Sequence, residues 1–545
     1  MKPCAACGQE NDDWRPLCTR CGASFDGPAA EPVVAPPPPG APFRPPAPPP
    51  PGTPGPGRRR PSPKLVTLVA FVTVLVLVAA AIGLSSLGSG HKAASAPATN
   101  FPARWDPRVI DIVRFDSGQR GLDYTHPVKV VFLSKAAFEK RVTTDNSKLT
   151  AKDKREIQRA LEEARAIGLV EGKVDLLAKI NQLTGSTTLA FYDITKKQVV
   201  IPAGPLGVEQ RVTLAHELTH TLDDEKFDLT KVNRVGDRHD TDAVTAVVEG
   251  DARWVEDHYV ARLSAADRRA YLRSQQTASD PGALNGVPKI FEALQQWPYD
   301  FGPLFIDELH ELGGTSKVNA AFTNPPVDEE QVIDPIAYLS GDLPAAISMP
   351  VLPKGAKKLD TSKEFGALAW FMMLSERIDP HVALRATLGW GADSYADATE
   401  NGKTCIEVHY RGETRHDNAE MLTALHQWIA ALPRGMAEVK ANADNTLSLH
   451  SCDPGENAKV VTDHSVDAYQ LLLFRATLID QVVKTGADVT LATCAADAVV
   501  AQTTLADLAQ PTGPPVLSNR QAMQQIGSNC RVTAGTAVPR DEIDK

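Results

Sequence analysis

The chain has 545 residues, 43% of them hydrophobic and 23% charged, and its 57 basic and 67 acidic residues give a formal net charge of −10. This is ordinary globular composition with length enough for several folded units, which excludes a wholly disordered or collagen-like chain. An acidic balance without a basic patch also argues against a nucleic-acid partner.

The N-terminal stretch carries C-A-A-C and C-T-R-C, so Cys4, Cys7, Cys18 and Cys21 form two knuckles, each offering two sulfurs to one tetrahedral ion. We expect a structural zinc ribbon over residues 1–25, in which metal binding supplies most of the folding free energy. A redox C-x-x-C pair is the rival reading. Between Cys4 and Cys21 the basic residues are Arg15 and Arg20, so docking to a cytoplasmic protein partner, or sensing, fits better than DNA binding. Residues 26–64 are expected to be a disordered linker, because 17 prolines fall between Pro28 and Pro63, a density that neither a helix nor a central strand tolerates.

Leu65 to Leu84 contains twenty residues without a charge, which at about 1.5 Å per residue is enough to cross a hydrocarbon core of about 30 Å. The expectation is one transmembrane helix over 65–87. Arg58, Arg59, Arg60 and Lys64 precede it and only His91 and Lys92 closely follow. The positive-inside rule then makes this a single-pass protein of the cell membrane, with a cytoplasmic N-terminus and extracytoplasmic C-terminal domains. The cysteines agree with that division. Four lie on the reducing side as thiolate ligands, whereas Cys405, Cys452, Cys494 and Cys530 lie on the oxidising side, where disulfides form. Chain order suggests Cys405 with Cys452 and Cys494 with Cys530, one of about three pairings open to four cysteines.

A short tether over 88–104 leads into the ectodomain. Residues 127–134 read as a strand from their β-branched run, and 152–168 as an amphipathic helix with Ile157, Leu161 and Ala164 on one face. Residues 189–202 read as two short strands joined by a polar turn at 193–197. Helices follow over about 209–223 and 240–263, with more through the 300s. This order predicts an α+β fold with a main domain over 105–345 and an extension over 346–432. Residues 433–545 read as a small disulfide-stapled α/β module, with strands at 446–452 and 488–494 and helices at 465–484 and 497–508. His450 and His464 are expected to be ordinary polar residues there.

Within the helix at 209–223 lies L-A-H-E-L-T-H, which makes His216, Glu217 and His220 an H-E-x-x-H motif. A spacing of four puts both imidazoles on one helical face, where their ring nitrogens can converge on a zinc ion. Glu217 then stands as general base toward the water that such an ion would activate. Leu214, Ala215, Leu218 and Leu222 supply an apolar side for packing. A catalytic zinc needs a third protein ligand and one open position. Glu249, in A-V-V-E-G-D-A-R-W, is the first candidate, since Ala243, Val244, Val247 and Val248 bury that part of the helix and a buried carboxylate is costly unless paired or metal-bound. The alternative for Glu249 is an ion pair with Arg253, and Asp251, Asp242 and Glu256 are weaker ligand candidates.

These motifs resemble gluzincin-type zinc metallopeptidases. More narrowly, H-T-L-D-D-E-K-F-D-L, V-V-E-G-D-A, N-P-P-V-D-E-E-Q-V-I-D-P and L-G-W-G-A-D-S-Y resemble a family of mostly uncharacterised secreted or membrane-tethered bacterial metallopeptidases, over about residues 105–432. The resemblance implies a zincin-like fold, with one catalytic zinc held by His216, His220 and Glu249 and with Glu217 as base. It also implies a peptide or protein substrate bound by strand addition at an edge formed by Leu189–Tyr192 or Val199–Pro202. The chain departs from the family where Arg253 stands in place of an Asp that would support a ligand histidine; Asp251 or Asp223 would have to serve instead. It departs again at Asp334, where the family usually has His. Tyr299, His239 and His310 are candidates for the oxyanion or proton donor opposite Glu217. The expected function is therefore extracytoplasmic peptide-bond hydrolysis by a membrane-anchored zinc metallopeptidase. The alternative is a catalytically inactive envelope binding or sensor protein of zincin fold.

Overall fold

The computed structural model describes residues 101–236, 241–278, 284–362, 364–510 and 512–535, together with 2–3 and 10–11, which pair as a short antiparallel ladder. The four ribbon cysteines, the Pro-rich segment, the apolar run at 65–84 and His239 lie outside the described residues. Among the described residues no helix is long and apolar enough to cross a membrane.

Residues 101–535 form an α+β fold with two sheets. The smaller sheet has three strands: β1 (Lys129–Leu133), β2 (Phe191–Asp193) and β3 (Gln198–Pro202). β3 lies in the centre, parallel to β1 and antiparallel to β2. Val199 and Val200 are thus paired on both sides, which closes the first half of the expected docking edge at Val199–Pro202, whereas β2 lies at the sheet's border with one side free. The hairpin turns through Lys197, whose φ of 51° is left-handed. A clamp to the neighbouring helix fixes it there: Tyr192 Oη donates to Asp224 Oδ2 at 2.6 Å, and Lys197 Nζ reaches the same oxygen at 2.5 Å.

The larger sheet contains β4 (Lys357–Ser362), β5 (Trp390–Glu400), β6 (Lys403–Gly412), β7 (Ala437–Ala441) and β8 (Leu447–Cys452), in the order β4-β5-β6-β8-β7. It runs straight through residue 433. The strand expected at 446–452 in a separate C-terminal module therefore belongs to the sheet before it, and the Cys405–Cys452 disulfide joins register partners on β6 and β8. Residues 488–494, expected as a strand, are instead the start of a helix, Val489–Val500. Asp488 caps it by accepting from the Thr490 N–H, and this local bond outweighs the β-branched Val489 and Thr490. The helix expected over 497–508 is divided between the end of this one at Val500 and a short helix at Leu505–Leu508. Cys494, in the first of these, is bonded to Cys530.

The helices that build the site are α1 (Ile110–Arg120), α2 (Ala151–Ala166), α3 (Leu176–Thr187), α4 (Val208–Phe227), α5 (Thr241–Arg262), α6 (Ala265–Ala278), α7 (Lys289–Thr323) and α8 (His464–Val483). Helix α4 is buried nearly all round. Leu214, Ala215 and Leu218 pack with Val199 and Ile201 of the small sheet and with Val109 and Ile112 at the start of α1. α5 packs along α4 on one side and α7 on the other.

The α5–α7 crossing leaves no room for a side chain at either of its glycines. A Cβ added to Gly250 would lie 2.7 Å from Gly302 Cα, and one added to Gly302 would lie 2.8 Å from Gly250 Cα. Either atom would force the backbones apart. Helix α7 also carries Pro298 and Pro303, each deleting one bond of the helical ladder, and it breaks at Gly314, where φ is 64°. Gly250→Ala or Gly302→Ala should each cost at least the 1–3 kcal/mol, about, that overpacking a core costs. Urea unfolding would show this as a lower midpoint, while Gly118→Ala, which meets no atom within 4 Å, should leave the midpoint near that of the parent chain.

Candidate metal centre

His216 and His220 project from the same face of α4, one turn apart, with their Nε2 atoms 3.1 Å from each other. Glu249 of α5 completes a triangle, its Oε2 standing 3.2 Å from His216 Nε2 and 3.3 Å from His220 Nε2. Zinc bound by nitrogen and oxygen at about 2.0–2.1 Å has neighbouring donors about 3.3–3.4 Å apart at a tetrahedral edge. Three donors at nearly that separation, from two helices, fit a zinc ion with a fourth position open. Glu249 does not pair with Arg253. It faces the histidines, and their charges and hydrogen bonds outweigh burial to hold its carboxyl well below the usual range.

The partner of His216 Nδ1 is Glu256, whose Oε2 lies 3.2 Å away. Its other oxygen accepts from Arg253 at 2.7 Å and from Tyr271 Oη at 3.1 Å. Neither Asp251 nor Asp223 does this, contrary to the sequence expectation. Both turn to the opposite side of the helices: Asp251 Oδ2 accepts from Arg120 Nε at 2.6 Å, and Asp223 stands 3.9 Å from the same guanidinium. All three groups are fully buried. Burial and the adjacent Asp251 push the Asp223 carboxyl well up. This network ties α1, α4 and α5 together directly behind the ligands. Asp242, though buried, does not join the three donors.

Burial alone would lower the His216 pKa, but hydrogen bonds to Glu249 and Glu256 and the charge on Glu217 raise it to about 10. Burial pushes the Glu217 carboxyl up, opposed by the two histidines, and the Tyr192 backbone N–H of edge strand β2 points to it.

A cleft of about 690 Å³ opens beside His216 and Glu217. Thr188, Leu189 and Ala190, leading into β2, form one wall, and the start of α7 with Tyr299 forms another. Tyr299 stacks on His216, ring centroids 6.1 Å apart. Burial, with the charges of Glu249 and Glu217, holds its phenol well above the ordinary pKa, so it remains a proton donor. His310 is elsewhere. Its ring stacks on Trp254 at 4.0 Å, and burial pushes its pKa down to about 4. A third wall comes from Val466, Tyr469 and Gln470 of α8, so a segment assigned by sequence to a separate module borders the site.

A second cluster joins Glu400, Cys405, His450 and Cys452. The two sulfurs there are bonded to each other, and His450 Nδ1 lies 2.5 Å from Glu407, which accounts for this histidine as a polar partner. No protein-family model, curated protein or solved structure matches the chain, so the site is interpreted from its own geometry and chemistry.

Glu256→Gln should retain the fold and weaken zinc binding by about 10- to 100-fold, the effect of losing a carboxylate that orients a ligand histidine. Competition against a chromophoric chelator, with the full-length chain, measures it; unchanged affinity would remove Glu256 from this role.

Proposed function

We propose that this chain is a zinc-dependent metallopeptidase of gluzincin type, hydrolysing peptide bonds with Glu217 as general base. The observation that carries the proposal is the His216, His220 and Glu249 donor triangle, at tetrahedral spacing, beside a buried glutamate and an open cleft. A purely structural ion would need neither the open position nor the base.

Bound at the three donors, zinc would supply Lewis acidity, making water a nucleophile near neutral pH and polarising the scissile carbonyl. The remaining work falls to the chain. Glu217, with its carboxyl pKa raised by burial, is suited to take a proton from the attacking water and give it to the leaving amine. Tyr299, held as a neutral phenol against His216, is the candidate donor to the developing oxyanion. The unpaired edge of β2 can take an extended peptide as an added strand, using backbone hydrogen bonds that do not depend on sequence.

The apolar run at 65–84, its flanking charges and the division of the cysteines support an extracytoplasmic, membrane-tethered enzyme. The doubled C-x-x-C motif supports a second, structural zinc in a cytoplasmic ribbon that docks a protein partner.

Glu217→Gln should bind zinc as the parent does and lose about 10²- to 10⁴-fold in kcat, the usual contribution of a general base. Tyr299→Phe should lose about 10²-fold or more with little change in KM. His216→Ala should hold one zinc fewer per chain. Cleavage of a peptide library by the full-length protein, with metal analysis of each variant, checks all three. Zinc bound without cleavage by the parent chain would overturn the peptidase reading in favour of a binding protein.

A further inference from the structure

The cleft has an uneven charge. Its two lining cations are already answered. Arg253 pairs with Glu256 at 2.7 Å and with Asp257 at 3.5 Å, and Lys289 turns to Asp463 at 3.0 Å on the rim. Among the lining anions, Glu256 is held by His216 and Arg253, and Glu217 faces the donor triangle. Two carboxylates remain. Glu292 feels the charge of Lys289 but forms no hydrogen bond or close ion pair among the described residues; Asp300 feels Arg253, and its hydrogen bonds come from neutral donors, Tyr469 Oη at 2.9 Å and Gln296 Nε2 at 3.4 Å.

These two carboxylates are aligned with the site. Glu292, Gln296 and Asp300 recur every four residues along one face of α7, and Tyr299, stacked on His216, immediately precedes Asp300. Eight residues of helix rise about 12 Å, the length of about three to four residues of extended peptide. A substrate lying along this wall would therefore meet Asp300 close to the scissile bond and Glu292 about three or four residues further away. Burial raises both carboxyl pKa values, so their charge is held at a cost that a substrate cation would relieve.

We propose that the cleft selects peptides with a basic side chain next to the scissile bond, Asp300 and Glu292 being the specificity-determining carboxylates. This inference rests on the peptidase reading above and adds the substrate class. Gln296, Thr188 and Gln275 give the remaining wall a neutral polar character, which leaves charge as the discriminating feature.

The test uses full-length protein in detergent and matched peptides in which one position flanking the scissile bond is Lys, norleucine or Glu. In the parent chain kcat/KM should fall in that order, with Lys over norleucine by about tenfold or more, and the ratio should shrink as salt is raised. Asp300→Asn should bring the Lys to norleucine ratio toward unity. Glu292→Gln, at a more open position, should reduce the ratio for peptides carrying a second Lys three or four residues away. A parent chain that cleaves all three equally, or prefers norleucine or Glu, overturns this inference while leaving the peptidase reading intact. Failure to cleave any peptide, with zinc bound, overturns both.

Discussion

The site depends on the contact between Gly250 and Gly302. With neither residue carrying a side chain, α5 and α7 meet backbone to backbone, and the residues flanking the contact are held at a separation that no other pair of residues would allow. Glu249 immediately precedes the first glycine, and Tyr299 precedes the second by three residues. The E-G-D-A phrase thus has a physical reading. Its Glu faces the histidines, its Gly permits the crossing, its Asp anchors to Arg120 on the far side, and its Ala is fully buried.

Two carboxylate networks act on opposite faces of the same helices. On the cleft face, Glu249 and Glu256 surround His216, and their net negative charge is what a divalent cation would neutralise. On the far face, Asp223 and Asp251 share one guanidinium, that of Arg120, within fully buried surroundings. Such a network is costly to assemble and more costly to break, so it holds α1, α4 and α5 in one arrangement. That arrangement brings the three donor atoms within 3.1–3.3 Å of one another.

Much of this was legible in the sequence. H-E-x-x-H is fixed by helical spacing alone, and Glu249 stood out because an apolar flank made an unpaired carboxylate there implausible. The strand edge was legible as a hairpin, but which strand was free depended on β1 arriving alongside β3, a long-range event. Glu256 stood only among the weaker ligand candidates, while Asp251 and Asp223 were expected to supply the support that Arg253, four residues after Glu249, does not. Glu249 and Glu256 are seven residues apart, two turns on one face, and that spacing was the available signal. His310 drew attention by residue type, yet its helical position turns it to Trp254. The large sheet hid its continuity because nothing local at Pro433 reveals that β8 will return to pair with β6.

That return has a consequence for how the protein is made. Arg165 at the end of α2 pairs with Asp453 at 2.7 Å, Ser451 donates to the Ala166 carbonyl at 2.6 Å, and Lys459 reaches Glu171 at 2.8 Å, each contact spanning more than 280 residues. Loop closure over such separations comes late in folding, and translation delivers the N-terminal partners first. The cleft therefore lacks one wall until α8, which packs on α7, has been synthesised. A growing chain consequently has no finished cleft, because α8 is the last of its walls to be made.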